Sequence, residues 1–253
     1  MLSDPAALPM SALFPLSLSR LAGCFAHAAR ALRYDAGNVI GKLAIVAALT
    51  MPLPAGAADR LQIVALGDSL TQGYGLPQDE GFVPQLQAWL DAKGAEVTVV
   101  NAGVSGDTTA GGLQRLDWSL TPDTDALIVA LGGNDLLRGL PYDASRANLE
   151  RILGAAGERG LPVLLIGQTA PGNYGADYKA KFDAMWPALA QEHHTLLVTD
   201  FLGPLTVMDS DARVAAGVMQ PDNLHPSAKG VTLVVEHIGP AVLELAEQAR
   251  AKP

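Results

Sequence analysis

Thiols are all but missing from this chain. Cys24 is the only cysteine among 253 residues, so no intrachain disulfide can form and the fold must be held by packing. A domain without paired thiols suits an oxidising compartment as well as a reducing one. Basic residues are also scarce, with 17 Lys and Arg against 26 Asp and Glu and a formal charge of −9. That balance argues against nucleic-acid phosphates and anionic membrane faces as main partners. Charged residues make up only 17% of the chain and hydrophobic ones 49%, which excludes the composition of a disordered segment and allows a sizeable core. The apolar run Leu43 to Leu53 falls short of the roughly 20 residues that span a bilayer, so no permanent membrane anchor is expected.

That run, LAIVAALTMPL, follows Lys42 and precedes Ala55-Gly56-Ala57, a small-x-small pattern ahead of Ala58 and Asp59. The layout is that of a signal peptide cleaved near Ala57, with a buried helix as the alternative. Signal peptides begin near the start of translation, whereas weak apolar runs with Arg20, Arg30 and Arg33 precede this one. The expectation is a true start near Val39, with residues 1–38 upstream of it and 39–57 removed; a genuine N-terminal arm is the alternative. The remaining 58–253 reads as one domain, exported to the periplasm or beyond. Nothing in the sequence speaks to oligomeric state.

From Leu61 onward, short apolar runs alternate with longer segments of helical period, the pattern of a parallel sheet covered on both faces. Strands are predicted at Leu61 to Leu66, Val97 to Asn101, Ala126 to Leu131, Val163 to Gln168 and Leu196 to Asp200. Helices are predicted at Phe82 to Lys93, Thr109 to Ser119, Ala144 to Arg159 and Asp177 to His193. A last helix starts near Ser227 and runs to about Ala251, with an interruption at Gly239-Pro240.

In open α/β sheets ligands bind outside the carboxyl ends of the strands. Gly67-Asp68-Ser69 follows the first predicted strand, Asn101-Ala102-Gly103 the second and Gly132-Gly133-Asn134-Asp135 the third, so three polar, glycine-rich blocks meet at that edge. Ser69 sits where a tight turn would aim helix N–H groups at developing negative charge, the position of a nucleophile; helix capping is its ordinary alternative. A serine hydroxyl needs a base, and Asp222-Asn223-Leu224-His225-Pro226 puts a histidine three residues after a carboxylate in a loop before the last helix. Asp222 could accept from His225 Nδ1 and leave Nε2 for the Ser69 proton, or could only organise the loop. His193, His194 and His237 fall within or at the end of helices away from that edge. Backbone N–H groups of Ser69 and Gly103 and the side-chain amide of Asn134 are candidate oxyanion donors, each worth about 3 kcal/mol. Gly103 could instead serve only as a turn glycine and Asn134 only as a helix cap.

These blocks carry a resemblance. Ala65-Leu66-Gly67-Asp68-Ser69-Leu70-Thr71, Asn101 through Thr109, Leu131-Gly132-Gly133-Asn134-Asp135 and Asp222 through Pro226 resemble the four blocks of the SGNH (GDSL) hydrolases. The similarity is closest to the bacterial thioesterase I or lysophospholipase (arylesterase) branch, whose pattern also includes Leu137-Arg138-Gly139, Pro171-Gly172-Asn173-Tyr174-Gly175 and Met219-Gln220. The resemblance implies a three-layer α/β/α flavodoxin-like fold with a five-stranded parallel sheet. It implies Ser69 as nucleophile, Gly103 and Asn134 as oxyanion donors, Asp222 and His225 as acid and base partners, and no metal or cofactor. The departures are Thr169-Ala170, where bulkier residues are common in that branch, and Pro221, which leave the chemistry intact and bear on acyl preference. The sequence lacks the last glycine of the G-x-S-x-G elbow, so it is not an ordinary α/β-hydrolase.

The expected activity is hydrolysis of acyl esters or thioesters, lysophospholipids among them, with broad tolerance of small substrates and with Leu76, Leu137, Pro171 and Tyr174 as substrate-binding side chains. Leu140 adds to the apolar character of that region. A carbohydrate acetyl esterase on the same fold is the alternative within enzymes, and would show a polar cleft. A non-catalytic module that holds an anion on glycine-rich loops is the alternative from another class; it leaves Asp222 and His225 without a task.

Overall fold

The computed structural model describes residues 60–252; the expected leader over 1–57 and its cleavage site lie outside the described residues. Five strands, β1 (Leu61–Gly67), β2 (Val97–Gly103), β3 (Ala126–Ala130), β4 (Val163–Ile166) and β5 (Leu196–Val198), form one sheet in the order β2-β1-β3-β4-β5. Every pairing is parallel, and Gly67 stands opposite Gly103 on one side and Ala130 on the other. The strands read as unbroken apolar runs because both faces are covered. Ile63, Ala65, Ile128 and Leu164 point into one core and Val64, Leu66, Val129 and Leu165 into the other, the period-2 alternation of a pleated sheet.

The first core is closed by α2 (Phe82–Ala92) and the long α10 (Ala228–Arg250); the second is closed mainly by α6 (Tyr142–Glu158) and α7 (Ala176–His193). This is the three-layer arrangement expected. Ser227 caps α10, its side chain accepting from the Gly230 N–H at 3.2 Å. The expected break at Gly239-Pro240 is absent: α10 runs through Pro240. Gly239 lies against the Trp89 ring, where a Cβ would come within 2.7 Å of ring carbon, and the apolar face of a long helix outweighs the local cost of proline. The helix expected over Thr109 to Ser119 is two short ones, α3 (Thr109–Gln114) and α4 (Leu116–Ser119), parted at Arg115. Four other short helices had no periodicity to reveal them: α1 (Ser69–Gln72), α5 (Gly133–Leu137), α8 (Gly203–Thr206) and α9 (Ser210–Ala216). Among the described residues no helix is long and apolar enough to cross a membrane.

Strand order reverses between β1 and β3, and a crevice opens beyond their carboxyl ends there. Helices α1 and α5 leave those two strands directly and flank the crevice.

Candidate active site

The turn out of β1 is set by Asp68. Its side chain accepts from the Leu70 N–H at 3.0 Å and caps α1, so Ser69 is the first helical residue rather than the cap. Gly67 allows the turn to be tight, because a Cβ there would lie 2.6 Å from the Thr71 Cβ and 3.0 Å from the Ala130 carbonyl oxygen. Ser69 is left half-buried with its backbone N–H lacking an acceptor among the described residues. Across from it, His225 Nε2 stands 2.8 Å from Ser69 Oγ, and His225 Nδ1 stands 2.6 Å from Asp222 Oδ2. The other carboxylate oxygen, Asp222 Oδ1, accepts the backbone N–H groups of Leu224 and His225, each at 3.0 Å. Asp222 thus organises its loop and orients the imidazole at once. Burial pushes its carboxyl up, but the hydrogen bonds from the His225 ring and backbone and from Leu224 outweigh this and hold it at about 2.

Two supports of this triad escaped the sequence. The Tyr74 ring packs on His225 with centroids 4.8 Å apart. Gln220 Nε2 donates to Tyr74 O at 2.8 Å and Pro226 O at 3.0 Å, tying the histidine loop to the segment after α1. His193 and His194 lie at the end of α7 and His237 within α10, beside Gly203, so none of the three competes with His225.

On the far side of Ser69, Gly132 occupies the cap of α5 with φ 114°, and Asn134 lies inside the helix. Its amide is therefore not spent on capping. Asn134 Nδ2 donates to Asp107 O at 2.9 Å and faces Asp68 Oδ2 at 3.4 Å. Asp68 is 2% exposed, and burial raises its carboxyl from 3.8 to about 6, although the Leu70 N–H and His225 act in the opposite direction. The N–H of Gly103, expected as an oxyanion donor, has a competing acceptor. It already donates to Asn101 Oδ1 at 2.9 Å. A Cβ at Gly103 would overlap the Gln72 backbone nitrogen and lie 2.9 Å from Asp68 O, so the glycine is there to let α1 sit against the end of β2. Three residues later Gly106, at φ 83°, has an N–H without an acceptor among the described residues, while its carbonyl receives Arg138 Nη2 at 2.7 Å. The block Asn101 to Thr109 contains both glycines, and spacing alone does not say which N–H stays available.

Two polar clamps hold this side rigid. Arg115 donates to Asp107 Oδ2 at 2.6 Å, Ala102 O at 2.7 Å and Gly67 O at 2.8 Å, joining the ends of β1 and β2 to the loop beyond them. The buried Asp135 accepts Thr109 N–H and Oγ1 at 2.8 and 2.6 Å and Ser145 Oγ at 3.0 Å, which fixes the helix that carries Asn134.

A hollow of about 120 Å³ opens beside Ser69, His225 and Asn134, and its apolar wall is Leu70, Leu136, Leu137, Leu202 and Leu224. Of the expected substrate-binding residues, only Leu137 lines it. Leu76 is half-buried and lines a second, smaller crevice that also touches Ser69 and His225, together with Tyr74 and Gln220. Tyr174 touches the Leu137 segment through its hydroxyl, 3.3 Å from Leu137 O, and the exposed Pro171 precedes the single helical turn that carries Tyr174. Two larger hollows, about 570 and 550 Å³, contain neither Ser69 nor His225. Glu150, Glu192 and His193 form a cluster of potential metal ligands on the surface, but Arg146 is ion-paired to both carboxylates and already supplies the positive charge.

A group with these contacts can activate a hydroxyl, stabilise an oxyanion and receive an apolar chain. Residues 65–233 match the GDSL-like Lipase/Acylhydrolase family. The chain is 37% identical over 199 residues to Esterase TesA of Pseudomonas aeruginosa, covering 78% of this chain and 94% of that protein. It is 34% identical over 174 residues to Thioesterase 1/protease 1/lysophospholipase L1 of Escherichia coli K12, covering 68% and 78%. The crystal structure of AlinE4, described as an SGNH-hydrolase family esterase, is 42% identical and superposes with a TM-score of 0.59 over 73% of this chain and 95% of that one.

Proposed function

The chain belongs to the GDSL-like lipase/acylhydrolase family and is a serine esterase, and from that premise we propose that Ser69, His225 and Asp222 carry its reaction. Ser69 Oγ attacks the acyl carbonyl while His225 Nε2 takes its proton, and the Asp222 carboxylate steadies the imidazolium that forms. The oxyanion is received by the Ser69 and Gly106 N–H groups and by the Asn134 Nδ2 hydrogen whose present contact, to Asp68 Oδ2 at 3.4 Å, is long enough to yield to it. Collapse expels the alcohol or thiol, which leaves with the proton from His225. Water, deprotonated by the same nitrogen, then releases the acid from the acyl-enzyme. The observation that carries this reading is the unbroken line Asp222 to His225 to Ser69, at 2.6 and 2.8 Å.

The leucine wall beside Ser69 favours an acyl chain over a sugar ring, and the named relatives, an esterase and a thioesterase, fit that choice. The order of Lys42, the apolar run Leu43 to Leu53 and Ala55-Gly56-Ala57 supports export with cleavage near Ala57. Hydrolysis of p-nitrophenyl esters from acetate to palmitate, beside a thioester and an acetylated sugar, tests the whole reading. Ester and thioester turnover should fall at least about a thousandfold in Ser69→Ala and in His225→Ala. A folded Ser69→Ala protein that keeps more than about a tenth of wild-type turnover points to another nucleophile.

A further inference from the structure

The floor of the catalytic hollow holds a group that the reaction does not use. Gln168 follows β4, and its backbone is pinned: Trp186 Nε1 donates to Gln168 O at 2.9 Å. The neighbouring Gly167 donates to Val198 O at 2.8 Å and accepts from Phe201 N at 2.9 Å. Gly167 has no room to move either, since a Cβ there would lie 2.5 Å from Thr199 O and 2.9 Å from the Trp186 ring. The root of the Gln168 side chain is therefore fixed. The residue is 8% exposed and lines the hollow with the five leucines, and its Nε2 lies 3.6 Å from where a Cβ of Gly133 would be. Among the described residues its side-chain amide has no hydrogen-bond partner, yet it is absent from the polar atoms sealed off without one, Thr71 Oγ1 and Thr195 Oγ1. It faces the hollow.

We propose that Gln168 is the specificity-determining residue of the acyl pocket and restricts this enzyme to short acyl groups. The inference rests on the serine-esterase reading of the same site. A buried amide on the wall of a hollow that is otherwise leucine and the catalytic groups needs a partner, and with a short acyl group in place water can supply it. A longer chain displaces that water and leaves the amide unpaired, which is the kind of loss that makes a site reject a ligand. The size of the hollow agrees, since at about 120 Å³ it is small beside the roughly 300–1,000 Å³ of pockets that take drug-sized ligands.

The test is kcat/KM for p-nitrophenyl butyrate and octanoate on wild type, Gln168→Met and Gln168→Leu, with thermal midpoints and fluorophosphonate labelling of Ser69 on each. Wild type should prefer butyrate at least about tenfold. Both variants should raise the octanoate-to-butyrate ratio at least about tenfold, through a gain on octanoate, with midpoints no lower than wild type because the amide has no protein partner to lose. A wild-type kcat/KM that climbs steadily from butyrate to octanoate overturns the proposal without any variant. So does a ratio within twofold of wild type in a variant that folds and labels. If wild type itself fails to label, the serine-esterase reading falls and takes this inference with it.

Discussion

Asp68→Asn should make the protein more stable at alkaline pH and less stable in acid. Burial raises the Asp68 carboxyl from 3.8 to about 6, which at 1.36 kcal/mol per unit amounts to about 3 kcal/mol against ionisation in the folded state. Because the folded value is the raised one, the stability Asp68 contributes is complete below the unfolded value and is lost as pH rises through about 6. Asparagine cannot ionise, and it still offers an oxygen to the Leu70 N–H, now 3.0 Å from Asp68 Oδ1; Asn and Asp are comparable caps. What it gives up is the long contact between Oδ2 and Asn134 Nδ2 at 3.4 Å, about 1 kcal/mol. The variant should therefore be about 2 kcal/mol more stable at pH 8, a rise in Tm of about 4–8 °C for a domain this size, and about 1 kcal/mol less stable at pH 3.5. Urea unfolding and thermal melts from pH 3.5 to 8 read the difference directly, and the two stability curves should cross between about pH 4 and 6. Curves that run parallel over the whole range would refute the claim that a buried, ionising Asp68 strains the site.

Asn134→Ala should lower kcat about a hundredfold to a thousandfold with KM little changed, since an oxyanion contact strengthens only as charge develops; steady-state kinetics beside a thermal midpoint on the same variant checks this, and a destabilised but fully active enzyme would remove Asn134 from the donors. Gly103→Ala should cost about 1–3 kcal/mol and several degrees of Tm, because the new methyl meets the backbone of Gln72 and Asp68, and kcat should fall with it since α1 carries Ser69. An unchanged midpoint in Gly103→Ala would contradict that packing role.

The doubly covered sheet was legible because both of its faces are buried: runs such as those of Leu61 to Leu66 and Ala126 to Leu131 contain almost nothing polar, and the glycine-rich blocks after them mark where the chain leaves the sheet. That Ser69, Asp222 and His225 come together was legible for a related reason, since Ser69 opens the first turn after β1 and the other two lie in the loop before α10. The short helices α1 and α9 were not, since they are defined by the capping carboxylates of Asp68 and Asp209 rather than by any apolar period. The choice between Gly103 and Gly106 turns on the Asn101 side chain, which engages one N–H and not the other, a contact no spacing records. Likewise Leu202 and Leu224 line the hollow beside Ser69 while Leu76 lines the smaller crevice on the His225 side, because loop packing, which hydrophobicity does not record, decides which wall each leucine joins. At Pro240 local propensity pointed to a break, and the packing of α10 on Trp89 prevailed.

The central claim is that Ser69 is a nucleophile activated through His225 and Asp222, and reaction with a fluorophosphonate tests it most directly, because only an activated serine is phosphonylated. Intact-mass measurement followed by peptide mapping should find a single adduct, on the peptide containing Ser69, with labelling abolished in Ser69→Ala and slowed at least about a hundredfold in His225→Ala. An adduct on any other residue, or a folded wild-type protein that takes up none, would contradict the account.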